Sequence, residues 1–173
     1  MFRSTAILLA CVLFASPLAA HASSPVHVSK RISTPSDIQA IEQVIEDFRL
    51  AIINKDGKKL SGLVLHSRIP FTSPGDQSVV DRIRERDVNF DGVSVGGFGS
   101  FSHFISTTPN KIEEKFYNVQ ITQDGPLAFV LFDFEFFAND KVTNHGIEHW
   151  QLHKTDGKWK IFSVIWSSNK PAQ

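Results

Sequence analysis

The chain has 173 residues, enough for one domain that buries roughly 68–70% of its unfolded surface and needs no metal or disulfide to hold a core. Lysine plus arginine and aspartate plus glutamate both total 18. That zero formal balance offers no general pull on anionic lipid or nucleic acid, and it argues against a nucleic-acid partner.

Residues 1–22 read as a secretory signal: Arg3 gives the positive start, 6–15 the apolar stretch, and Ala20-His21-Ala22 the small-x-small cleavage site. The apolar stretch is too short, and too soon followed by Ser16-Pro17, to span a membrane. The expected location is therefore periplasmic or secreted. Leu8-Leu9-Ala10-Cys11 also matches a bacterial lipobox, which would lipidate Cys11 and is the one route to a membrane. Only about five apolar residues precede that cysteine, against the roughly 7–15 expected, so cleavage near Ala22 fits better. Cys11 is the one cysteine, so cleavage there removes disulfides, thiolate catalysis and zinc–cysteine sites from consideration. Residues 23–36 follow as a polar, flexible linker, and a single domain is expected over 37–169.

Thr34-Pro35-Ser36-Asp37 is a helix start, with a capping hydroxyl, proline at the first turn and a carboxylate beside orphan amides. Ile38, Ile41, Val44, Ile45, Phe48, Ile52 and Ile53 then recur at three-and-four spacing, one buried stripe. Asp56 caps a short second helix carrying Leu60, Leu63 and Val64, and 69–74 is a proline-punctuated connection. Residues 77–87 can be helical with Val79, Val80 and Ile83 inward and a mixed-charge outer face. The glycine-rich 91–99 lacks a phosphate-cradling pattern and reads as a turn or mobile loop leading into 101–105.

From Lys111 the apolar period becomes two. Residues 112–121, 127–137, 145–154 and 159–167 are strands separated by Asp-Gly-Pro, Asn-Asp and Asp-Gly turns, hence antiparallel neighbours. Helices first and strands after them predict an α+β fold with helices on one sheet face. Ala128, Val130, Phe132, Phe134 and Phe136 share the inward parity; Phe129, Leu131 and Phe137 share the other with Asp133 and Glu135. Phenylalanine occurs 15 times and tyrosine once, a composition suited to a large dry core, a dry cavity or an apolar interface.

The long first helix, the Lys55-Asp56 break and the ending from Lys154-Thr155-Asp156-Gly157-Lys158-Trp159 to Trp166-Ser167 resemble the nuclear transport factor two-like superfamily, also called SnoaL-like or ketosteroid-isomerase-like. Residues 128–137 with Asn144-His145-Gly146-Ile147-Glu148 are similar to its lumazine-binding subgroup, although Asn144 and His145 stand where that subgroup carries histidine and cysteine. The resemblance implies a curved antiparallel sheet around a cone-shaped cavity closed by the helices, and dimers through the outer sheet face. The apolar outer face here is compatible with such a homodimer.

Several side chains invite chemistry. His145-Gly146-Ile147-Glu148-His149 matches an inverted zincin pattern. On a strand the two histidines lie about 13 Å apart, so one zinc cannot take both, and no metal or other cofactor is expected. With His153 they fit a half-exposed strand surface. Glu148 shares parity with Trp150 and Leu152; among phenyl rings its pKa would rise and it could act as a general base. The bland alternative is a carboxylate at a sheet edge, or one bonded to Ser163 or to a helical residue. Asp133 and Glu135, about 6.6 Å apart on one face, belong to the outer surface. His103 could border the cavity mouth as an acid–base partner, or lie on the surface. Tyr117, in parity with Val119 and Ile121, reads as core or pocket wall. The expected pocket lining is Phe48, Ile52, Phe101, Val130, Phe132, Phe134, Trp150, Ile161 and Ser163, around a small apolar or aromatic molecule. Three functions follow: an exported binding domain, an isomerase- or dehydratase-like enzyme using Glu148, or an interaction module with a filled core.

Overall fold

The computed structural model describes residues 30–94 and 96–171. The leader and Cys11 lie outside the described residues. Thr34 accepts a hydrogen bond from the Asp37 amide (3.2 Å) and opens α1, Pro35–Ile53. Asp56 caps α2, Gly57–Leu63, by accepting from the Lys59 amide. A methyl group on Gly57 would sit 2.1 Å from Ser106 Oγ, so glycine is what lets the two helices around it meet closely. The end of the expected 23–36 linker is docked, since Ile32 exchanges hydrogen bonds with Asp124 and Gly125.

Three elements differ from the sequence reading. The connection 69–74 contains β1, Phe71–Thr72, paired parallel to the last strand at Phe71↔Val164. Between prolines, two residues offer no alternation to read. In α3, Gln77–Arg84, Val80 is buried as expected but Val79 is exposed. The expected glycine loop supplies instead the first turn of α4, Gly97–Thr107. Burial of Phe98 and Ile105 against the core outweighs the cost of glycine in a helix, about 1 kcal/mol per residue.

The remaining chain is sheet: β2 Ile112–Asp124, β3 Leu127–Ala138, β4 Lys141–Thr155 and β5 Lys158–Trp166. The order is β1-β5-β4-β3-β2, antiparallel except for β1, forming a curved and unclosed sheet. The α+β expectation holds. Asn139-Asp140 and Asp156-Gly157 take positive φ, as tight hairpin turns between right-twisted strands require. Bulges interrupt the register at Asn118–Val119 in β2, at Thr143 in β4 and at Phe162 in β5. Each adds one residue, bends its strand and exchanges the inner and outer parity beyond it.

Helix α1 lies across the concave face, where Phe48 meets Trp150 (ring centroids 4.8 Å) and Phe116 (6.4 Å). Its start is fastened to the sheet by Asp37, which accepts from Lys154 Nζ (2.5 Å), Gln123 Nε2 (3.0 Å) and Trp159 Nε1 (3.1 Å). These donors hold the Asp37 carboxyl well below its ordinary range, Lys154 contributing most. The convex face exposes Phe129, Leu131, Ile147 and Ile165. Among the described residues no helix is long and apolar enough to cross a membrane.

Candidate functional site

On the concave face the alternation of β3 turns Phe132, Phe134 and Phe136 toward the helices, and β4 presents Asn144, Glu148 and Trp150 beside them. Phe48, Phe116, Phe132 and Trp150 pack ring against ring, with centroids 4.5 Å apart for Phe116–Phe132 and 5.1 Å for Phe132–Trp150. This cluster fills the middle of the sheet. The open space is thereby displaced toward Phe134, Phe136 and Asn144, where a cavity of about 200 Å³ remains.

A second chain of rings walls the cavity on the helical side. Phe48 stacks on Phe101 (6.0 Å), Phe101 meets Phe71 (4.8 Å) and Phe71 meets Trp166 (5.0 Å). Phe104 closes over Phe136 at 6.2 Å. Phe71, Phe101, Phe104 and Trp166 also border an adjoining groove with Ser94, Gly96, Gly97 and Ser100. The glycine-rich segment thus lies at the cavity's outlet.

Two carboxyls face this apolar space: Glu148, 4% exposed, and Glu114, 5% exposed. Burial pushes Glu148 up to about 7, partly offset by the Trp150 indole N–H that donates to its Oε1. Burial, and then the charge of Glu148, hold Glu114 well above the ordinary carboxyl range. Among the described residues no hydrogen bond reaches the Glu114 carboxyl. Near neutral pH Glu148 is therefore close to half-ionised, able to take up or release a proton beside a second buried carboxyl. Asn144 is the other polar group on the wall; its Oδ1 accepts from the Ser168 hydroxyl (3.1 Å) and the Asn169 amide (3.0 Å).

Of the residues expected to line a pocket, Phe48, Phe101, Phe134 and Glu148 meet at this cavity. Ile52, Val130, Phe132, Trp150, Ile161 and Ser163 are buried in the core and do not line it, because the ring cluster closes that end of the sheet. Glu148 takes its hydrogen bond from Trp150 and none from Ser163. His103 is exposed on α4, on the side opposite the inward Ile105 and Phe101, and takes no part in the lining. Tyr117 is not core: alternating with the inward Glu114 and Phe116 it faces outward, 42% exposed, and donates to Glu135 at 2.9 Å, while the bulge beyond it gives Ile121 the opposite orientation. Asp133 is likewise on the convex side, accepting from Asn118 Nδ2 (2.5 Å). His149 stacks on Phe129 at 5.8 Å, and no three metal-ligating side chains gather among the described residues.

No protein-family model matches the sequence, and no curated protein matches it in sequence. Solved structures do match in shape. A nuclear transport factor two-like protein of unknown function from Shewanella baltica is 16% identical, with 82% of this chain and 100% of that chain covered and a TM-score of 0.55. The chain has the nuclear transport factor two-like fold. A cystatin-like-fold protein of unknown function from Nostoc punctiforme matches over 79% of this chain and 93% of its own, at 13% identity and TM-score 0.55. A protein provisionally named scytalone dehydratase, from Novosphingobium aromaticivorans, matches over 78% and 85%, at 14% identity and TM-score 0.56. Within the nuclear transport factor two-like fold, the narrower lumazine-binding likeness rests on sequence alone.

The sequence reading missed Phe71, Phe104, Glu114, Phe136, Asn144 and Trp166 as lining. Glu114 was the most accessible of these, since it shares strand parity with Ile112 and Phe116. Trp166 was hidden by the Phe162 bulge, after which the even-numbered residues of β5 turn inward.

Proposed function

We propose that this domain binds a small organic molecule with an apolar or aromatic body in the cavity, and that Glu148 exchanges a proton with it. The observation that carries the reading is the pair of buried carboxyls, Glu114 and Glu148, on the wall of an otherwise phenyl-lined space. Burying carboxyls costs folding free energy, and carboxyls perturbed by burial inside a cleft cluster at functional sites. A carboxyl titrating at about 7 can take and return a proton at neutral pH. Isomerases, dehydratases and lyases each need such a group. The provisional dehydratase name of the Novosphingobium protein is in keeping with this, as a likeness of fold.

Non-catalytic binding is the second reading, favoured by how few polar groups line the wall. The open cavity leaves the filled-core interaction reading without support. The leader at 1–22 supports export to the periplasm or beyond, and the exposed Phe129, Leu131, Ile147 and Ile165 support a homodimer through the convex sheet face.

The test is proton exchange in D₂O, followed by proton NMR, on small ketones, β-hydroxy ketones and their amino-substituted analogues. The wild-type protein is expected to promote exchange or dehydration of a member of the set, with a loss of about 10²-fold or more in Glu148→Gln. Equal binding by both proteins with no exchange by either would leave a carrier and remove the catalytic role.

A further inference from the structure

We propose that the polar part of the cavity's ligand is an organic ammonium group, held against the Glu114 and Glu148 carboxyls and walled by phenyl rings, an assignment that rests on the cavity being a ligand site. Seven elements contribute to the wall, and among the described residues none of them presents a lysine, arginine or histidine to it. Glu114 from β2 and Glu148 from β4 are its titratable groups. The basic side chains close in sequence to the lining are engaged or turned away. Arg49 pairs with Glu46 (2.8 Å) and Glu113 (3.2 Å), Lys55 donates to the Thr108 carbonyl (2.8 Å), and His103 is exposed.

The two carboxyls therefore have no counter-ion inside the protein. Trp150 gives Glu148 one neutral donor, while the carboxyl of Glu114, a residue 5% exposed, has no hydrogen bond among the described residues. A bound anion would be repelled by Glu148, and a neutral molecule would leave a buried carboxylate uncompensated. A single positive charge completes the site. It pairs with the Glu148 carboxylate, and the Glu114 carboxyl on the same wall is a further polar partner for it. The faces of the surrounding rings also attract a cation, most strongly one with little water to lose, such as a quaternary ammonium.

The charge can be tested apart from shape with phenyltrimethylammonium and tert-butylbenzene, which differ in little but the charge-bearing atom. Binding to the full chain at pH 8 is followed through the indole N–H resonances of Trp150 and Trp166. The cation is expected to bind about ten-fold more tightly or better. That preference should shrink to about three-fold or less in Glu114→Gln or Glu148→Gln, and cation affinity should fall as pH drops below 7, when Glu148 takes up a proton. Each substitution replaces a buried carboxyl by an amide of the same shape, so the variants are expected to fold. Binding of the hydrocarbon as tightly as the cation, or a preference untouched by both substitutions, overturns the charge assignment and leaves the ligand-site reading standing. If neither probe binds, the ligand-site reading fails and the assignment falls with it.

Discussion

Replacing Glu148 by glutamine is expected to stabilise the protein at pH 8 and to change little at pH 4. In the fold this carboxyl titrates at about 7, against 4.5 when free, because burial disfavours its charge. The folded state therefore binds the proton more tightly than the unfolded state. Its contribution is fully present below pH 4.5 and is lost as pH rises toward 7. At about 1.4 kcal/mol per unit, a displacement of about 2.5 units makes ionised Glu148 cost about 3 kcal/mol at pH 8. Glutamine keeps the shape, and its amide oxygen can still accept from Trp150. Burial holds Glu114 above the ordinary carboxyl range as well, and glutamine at 148 also relieves the repulsion it feels from an ionised neighbour. Urea unfolding should thus show the variant's midpoint raised by about 1 M or more at pH 8, given m-values of about 1–3 kcal/mol/M. The two midpoints should converge at pH 4. A variant less stable at pH 8, or one shifted equally at both pH values, would refute the burial argument.

Trp150→Phe keeps a ring in the cluster but removes the donor that lowers Glu148, so the Glu148 midpoint should rise further above 7 in an NMR titration. Asp37→Asn weakens the clasp from Lys154, Gln123 and Trp159 and should lower the melting temperature at pH 7. Since the Asp37 carboxyl is depressed in the fold, its contribution is present above its free value of 3.8. The gap between the two proteins should therefore narrow as pH falls below that value. Gly146→Ala would place a methyl 2.6 Å from the Ser167 carbonyl oxygen and 2.3 Å from its hydroxyl, so a loss of about 1–3 kcal/mol is expected by chemical denaturation.

The layer order, both helix caps and the four long strands could be read from periodicity and turn chemistry, because each is local. What escaped is non-local. A two-residue strand exists only through its partner Val164, and α4 is helical despite Gly97 and Gly99 because Phe98 and Ile105 are buried from it. The site was half readable. Glu148 follows from alternation with Trp150, while Trp166 and the opposite orientations of Tyr117 and Ile121 follow only once the bulges at Phe162 and Asn118–Val119 are known. Alternation also says which residues face inward but not which of them are consumed by packing. Val130, Phe132 and Trp150 face the hollow and then fill it with one another and with Phe48 and Phe116.

The measurement closest to the centre of this account is a ¹³C NMR titration of the glutamate side-chain carboxyls in the ligand-free protein. Glu148 should titrate with a midpoint near 7 and Glu114 above the ordinary glutamate range, the Glu114 midpoint falling when Glu148 is changed to glutamine. Midpoints near 4.5 for both would mean that these carboxyls meet bulk water, and the cavity would lose the chemistry assigned to it.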